Sequence, residues 1–138
     1  MTPTPGDQGT AVRRSAYKRG RGAEARAAWL LRAKGYRIAA RGYRCRVGEI
    51  DIIAHRGNVI VAVEVKARAS LSAAADAINL RQRSRIARAL SDFLARNANY
   101  AGCDIRFDAV LILPWRWPHH IVDAWRPGAG DQTLAEPA

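Results

Sequence analysis

GEIDIIAHRGNVIVAVEVKAR, residues 48–68, is the stretch whose reading decides the fold of this 138-residue chain. Two runs rich in β-branched residues, Glu49–Ile53 and Val59–Lys66, flank His55-Arg56-Gly57-Asn58, which carries turn chemistry. The spacing predicts a β-hairpin. Period-two alternation puts Glu49 and Asp51 on one face of the first strand, and Glu64 and Lys66 on one face of the second. If Gly57-Asn58 is a two-residue loop, Arg56 pairs with Val59, Asp51 faces Glu64 and Glu49 faces Lys66. Their Cβ atoms then lie roughly 5 Å apart. A three-residue loop makes the same contacts diagonal.

Two carboxylates opposed on a sheet repel one another, and a divalent cation is one reason to place them so. Magnesium and manganese take oxygen ligands and are often held by only one or two carboxylates, with positions left for water and phosphate. Lys66, two residues past Glu64, would project beside the same ion and could orient or help deprotonate an attacking water. Three of the 23 basic residues are lysine, so a lysine here departs from the chain's habit. Its proton affinity can be tuned, whereas an arginine stays charged. The plainer alternative is a solvated hairpin with Glu49 and Lys66 as a cross-strand ion pair. An acid-x-Lys triplet alone carries little weight; the acid on the paired strand and the apolar frame add to it.

Asp51 followed by Glu64-Val65-Lys66 resembles the PD-(D/E)xK signature of the restriction-endonuclease-like superfamily. More narrowly, Gly22-Ala23-Glu24, Gly48–Ile53, Glu64-Val65-Lys66-Ala67-Arg68 and Arg106-Phe107-Asp108 resemble the YraN-like family of bacterial proteins. The likeness runs from about Gly20 to Trp125. It implies an endonuclease-like core related to Holliday-junction resolvases, with in-line hydrolysis leaving 5′-phosphate and 3′-hydroxyl ends. It also implies that Glu24, at the family's helix-acid position, reaches the metal site. A carboxylate in a first helical turn favours the helix dipole whatever its function, so both readings of Glu24 stand. Gly42 stands where the family usually has Asn, and Gln82 where it often has Lys.

Around the hairpin, the pattern predicts a helix over Gly22–Lys34 stopped by Gly35, and a strand from Tyr36 to about Arg46. A helix from about Asp76 to Asn97 follows a small-residue loop, Ser70–Ala75. Its apolar stripe is Ile86, Leu90, Phe93 and Leu94, and Arg81, Arg85 and Arg88 lie on the other side. Asp104–Leu113 reads as a central strand, Pro114–Pro118 as a turn, and His119–Trp125 as a last strand. A strand–helix–strand run from Val59 implies parallel pairing across a crossover. The expectation is an α/β fold of order αβββαββ: an antiparallel meander plus a parallel strand, flanked by helices. Asp108, alone in an apolar strand, reads as a structural hydrogen-bond acceptor. Adjacent His119 and His120 face opposite ways on a strand and make no metal pair.

The length allows one domain, here residues 16–126, with a disordered basic arm over 1–15 and a disordered tail over 127–138. A net charge of +11 and a pI near 11.0 point to an acidic polymer as partner. Arg44, Arg46, Arg68, Arg81, Arg85 and Arg88 are the candidate nucleic-acid contacts, Arg68 as a bidentate phosphate ligand. Few aromatics argue, by composition, against a binder that stacks single-stranded bases. Cys45 and Cys103 lie far apart, as expected of reduced thiols, and neither a signal core nor an 18-residue apolar run is present. These readings imply a cytoplasmic protein with no membrane partner. They converge on a Mg2+- or Mn2+-dependent endonuclease acting on DNA, selective for branched structure. Asp51 and Glu64 would bind metal, Lys66 would activate water, and Glu49 or Glu24 would assist. The alternatives are a nucleic-acid-binding module without turnover and a protein-interaction domain whose charge reflects genomic bias. A symmetric homodimer would suit paired cuts in a junction, though no stretch marks an interface.

Overall fold

The hairpin forms as its turn chemistry requires. In the computed structural model, which describes residues 22–69 and 79–126, β2 (Gly48–Arg56) and β3 (Val59–Ala67) pair antiparallel. Arg56 lies opposite Val59 and Ile52 opposite Val63, the register of a two-residue Gly57-Asn58 loop. Gly57 has φ +58°, a left-handed conformation that glycine enters without a Cβ clash.

Five strands complete one sheet in the order β1-β2-β3-β4-β5, with β1 (Arg37–Cys45), β4 (Asp104–Ile112) and β5 (His119–Trp125). All neighbours are antiparallel except β3 and β4, which run parallel from Val59–Asp104 to Ala67–Ile112. The expected α/β order, αβββαββ, is the observed one. β3 is buried on both faces, which is why it reads as a nearly continuous apolar run.

Each face carries a helix. Residues 22–33 form α1, which buries Ala23, Ala27, Ala28 and Leu31 against Ile52, Ala54, Val61, Val63 and Val110. Small alanines bring its backbone close to the sheet. It ends as Gly35 (φ +92°) donates to Arg32 O and Tyr36 N–H reaches back to Leu31 O, a Schellman closure. On the other face, α2 (Leu80–Arg96) buries Ile86, Ala89, Leu90 and Phe93 against Ile50, Ile53, Ile60 and Ala62. Each large side chain so buried contributes about 1.5–3 kcal/mol. The sequence pattern had this helix starting near Asp76. Residues 76–78 lie outside the described residues, but Asn79 is extended (φ −91°, ψ 170°) and its side chain caps Gln82 N–H at 2.9 Å, so α2 starts after it. The expected arm and tail, and the loop at 70–75, also fall outside the described residues.

One irregularity bears on the site. Ile50 and Ile52 are two apart on β2 yet bury in different cores, Ile50 under α2 and Ile52 under α1. Strict alternation therefore breaks between Asp51 and Ile50. Beside this break, between the pairs Arg41–Ile52 and Tyr43–Ile50, lies Gly42 with φ +63°. The paired strands turn over here, which brings Ile50 and Tyr43 to the α2 side, where alternation from Ile53 already places Asp51.

Candidate active site

Asp51, Glu64 and Lys66 come together on the α2 face, where β2 and β3 have left their ladder. Past the Ile52–Val63 pair, Asp51 Oδ2 accepts the Val65 N–H at 2.8 Å instead of continuing strand pairing. Glu64, 5 % exposed, follows the β3 alternation of Ile60 and Ala62 onto the same face. Lys66, two residues further, places Nζ 3.2 Å from Glu64 Oε1. The same oxygen accepts the side-chain amide of Gln82 from α2 at 2.8 Å.

The electrostatics follow from burial. Desolvation, followed by the charge of Asp51, pushes the Glu64 carboxyl up to about 8 against the pull of Lys66. Desolvation likewise raises Asp51, opposed by the Val65 N–H bond, by Glu64 and by Lys66. Two adjacent carboxyls thus hold protons more tightly than free ones, which is the signature of negative charge packed without enough compensation. A cleft of about 40 Å³ lies between Glu49, Asp51, Glu64, Gln82, Arg85 and Ile86, room for an ion or one or two waters. Two carboxylates beside such a space are the donor set that a hard divalent cation accepts, the rest of its shell being water or phosphate. Among the described residues no cluster of three or more His, Cys, Asp or Glu side chains has metal-holding geometry.

The remaining predicted residues are distributed around this centre. Glu49 lines the cleft but is exposed, and its partner is Arg44 at 3.3 Å; Lys66 pairs with Glu64, so no Glu49–Lys66 ion pair forms. Glu24 is on α1, on the opposite face, and bonds Arg41 at 3.3 Å. Since Arg41 lies opposite Ile52, Glu24 sits over the strand pair next to Asp51 without lining the cleft. Arg85 reaches the cleft edge, and Arg81 and Arg88 are exposed along the same helix. Arg46 occupies the β1–β2 turn, and exposed Arg68 follows β3, its backbone N–H bonded to Ile112 O.

Gln82 is the residue that sequence reasoning left out of the site. Its signal was slight: a polar side chain four residues before Ile86, at the edge of the apolar stripe. What aims it is the close approach of α2 to β2, where a Cβ on Gly48 would come within 2.3 Å of Arg85 O. Asp108 is structural, as expected. Fully buried, it accepts two bonds from Arg106 at 2.8 Å, one from Asp123 N–H at 2.9 Å, and meets His120 Nε2 at 2.7 Å. His120 points inward to Asp108 and His119 outward, the opposite facing that strand alternation predicts.

A mixed sheet with a parallel crossover pair, a helix on each face and acids at the β2–β3 divergence defines a restriction-endonuclease-like α/β core. The chain belongs to the family described as uncharacterised protein family UPF0102, the YraN-like family, whose profile matches residues 23–112. It is 50 % identical over 113 residues to a UPF0102 protein of Parvibaculum lavamentivorans, covering 82 % of this chain and 85 % of that protein. A UPF0102 protein of Mesorhizobium japonicum is 50 % identical over 116 residues, 84 % of this chain and 93 % of the relative. One from Paramagnetospirillum magneticum is 48 % identical over 116 residues, 81 % and 90 % of the two chains. No helix among the described residues is long and apolar enough to cross a membrane.

Proposed function

We propose that this protein is a Mg2+-dependent endonuclease that hydrolyses phosphodiester bonds of DNA, with selectivity for branched structure. The observation that carries the reading is the contact set on one face of one hairpin: Asp51 beside Glu64, and Lys66 Nζ 3.2 Å from Glu64 Oε1. Asp51 and Glu64 would hold the cation, which supplies positive charge for the phosphate and acidifies water. Glu64 must shed its proton to bind, and Lys66 favours that loss. Lys66, one full strand period beyond Glu64, then stands where it can orient the attacking water or exchange a proton with it. Gln82 fixes the Glu64 carboxylate in place. Glu49, at the cleft rim, can steer a second water or cation, and Glu24 acts through Arg41. Arg44, Arg46, Arg68, Arg81, Arg85 and Arg88 supply sequence-independent phosphate contacts in a chain of net charge +11.

The test is cleavage of labelled single strand, duplex, flap, four-way junction and hairpin RNA in Mg2+, Mn2+ or EDTA. The expected result is metal-dependent cutting of branched DNA, with 5′-phosphate ends, lost in Asp51→Asn and Lys66→Ala. Asp51→Asn should still bind DNA as well or better, because a negative charge leaves a phosphate site. Salt-dependent binding without cutting, unaltered by magnesium and by both substitutions, would support the binding-module alternative, with Glu64–Lys66 serving as a structural ion pair.

A further inference from the structure

Composition argued against base stacking, but the placement of the tryptophans reverses that argument. Of four in the chain, only Trp125 is buried; Trp29 is 70 % exposed, Trp115 102 % and Trp117 88 %. We propose that these three rings form a platform on which unpaired bases of the nucleic-acid substrate stack, next to the candidate active site. The inference rests on the nuclease reading for the identity of its ligand.

Trp115 and Trp117 line one groove, and Trp29 flanks it from α1. Arg26, one helical turn before Trp29 on α1, donates from Nη2 to Arg116 O at 3.4 Å. Together Arg26, Pro114, Trp115, Arg116 and Trp117 line an open groove of about 660 Å³. Arginines accompany the rings: the Arg32 guanidinium lies 5.6 Å from the Trp29 ring, and Arg116 stands between Trp115 and Trp117 in sequence. Two arginines and no acidic side chain line the groove, which favours an anionic ligand that also offers flat apolar faces. Flat rings alternating with guanidinium groups complement a strand that alternates bases with phosphates. Trp115 also has φ +60°, a left-handed backbone that a bulky residue seldom adopts, and burial does not offset the strain.

Location supplies the link to the site. β3 and β4 are parallel, Lys66 lies opposite Leu111, and Arg68 N–H bonds Ile112 O. Pro114 therefore begins the loop only three residues, roughly 10 Å of strand, beyond the rung that carries Lys66. The platform opens from the α1 face and the acids from the α2 face, at the same end of the sheet. A nucleic-acid strand crossing that end past Arg68 would meet both. The family match stops at residue 112 and so does not describe this loop.

The experiment is anisotropy with labelled oligothymidylate and with a blunt duplex of equal length, in EDTA at physiological salt, alongside tryptophan quenching. Trp115→Ala/Trp117→Ala should weaken single-strand binding about 10-fold per ring lost and leave the duplex within about 3-fold. Trp115→Phe/Trp117→Phe should restore most of the affinity and Trp115→Leu/Trp117→Leu should not, because stacking needs a planar ring. Circular dichroism confirms folding of each variant. Equal losses on both ligands, no loss, full rescue by leucine, or tryptophan-dependent binding only to phosphatidylglycerol vesicles would each overturn the proposal. Without metal no cleavage enters the readout, so an inactive cleft would refute the nuclease reading while leaving this result intact.

Discussion

The Gln82 side-chain amide donates to Glu64 Oε1 at 2.8 Å, onto the oxygen that Lys66 Nζ meets at 3.2 Å. One carboxylate oxygen of β3 is thus held by a neutral donor from α2 and a charged one from its own strand. The neutral donor fixes direction without adding the positive charge that would compete with a cation.

Gln82→Ala should therefore raise the Mg2+ concentration that half-maximal cleavage needs by about 10- to 100-fold, the usual cost of removing a partner that orients a metal ligand. Gln82→Lys should keep the rate within about 10-fold of wild type and shift the optimum to lower pH, because a second cation favours the ionised Glu64. Cleavage rates over a magnesium titration, at several pH values, check both. A Gln82→Ala enzyme with unchanged magnesium dependence would show that the amide plays no part in positioning Glu64.

Stability without metal should depend on pH in a direction opposite to that of most carboxylates. Glu64 rises from 4.5 to about 8 on folding, chiefly through desolvation, and Asp51 shifts the same way. Between those values the folded chain holds a proton that the unfolded chain has released, so stability is greatest below about pH 4.5 for this group and is lost as pH rises through 8. Asp108 and Asp92 are lowered below 3.8 and act only in more acidic solution, where they lose stabilisation as pH falls. In EDTA the melting temperature should fall between pH 5 and 8, and Glu64→Gln should flatten that slope. Saturating Mg2+ should raise the melting temperature most at the upper end. An EDTA melting curve that rises across this range would place Glu64 in its ionised form throughout.

The shared face of Asp51 and Glu64 was legible because one local feature, the Gly57-Asn58 turn, fixes the hairpin register, and the observed Arg56–Val59 pairing is the expected one; the expected Asp51–Glu64 rung itself is absent, since the ladder ends at Ile52–Val63. The strand–helix–strand order likewise implied the parallel β3–β4 pair. Three features were not legible, and two of them depend on contacts remote in sequence. Gln82 is aimed by the approach of Arg85 O to Gly48, 37 residues apart. The Trp29 and Trp115–Trp117 surface is assembled by the Arg26–Arg116 bond, with |i−j| of 90. The overturn beside Asp51 breaks the alternation from which strand faces are read, and depends on a backbone angle at Gly42. The start of α2 was missed for a local reason: Asn79 competes as a cap where the Ala-rich stretch before it only favours helix.

Asp108→Asn should cost about 3–5 kcal/mol, since it leaves charged Arg106 beside a buried neutral side chain and breaks the bond to His120. Arg106 and Asp108 lie on β4 away from the acidic cleft, so cleavage by the folded variant should stay within about 3-fold of wild type, a change of less than 1 kcal/mol in the barrier. Urea unfolding monitored by Trp125 fluorescence, with cleavage assayed at low temperature, separates the two effects. A stable but inactive Asp108→Asn would move this carboxylate from the structural to the functional side.

Gly42 offers a direct test of what the strand overturn beside Asp51 contributes. A Cβ here would meet nothing within 4 Å, so packing does not oppose a side chain; the φ of +63° does. Asn enters this region far more readily than other residues with a Cβ. Gly42→Asn should remain within about 1 kcal/mol of wild type and keep cleavage, whereas Gly42→Val should cost about 1–3 kcal/mol. If β1 relieves that strain by returning to ordinary strand geometry, the overturn is lost and Ile50 and Tyr43 leave the α2 side, which takes packing from beside Asp51. Gly42→Val should then lower cleavage even where it is folded, together with the protection of the Val65 amide from hydrogen exchange that Asp51 Oδ2 provides. Equal stability and activity in the two variants would mean that the left-handed backbone does not support the cleft.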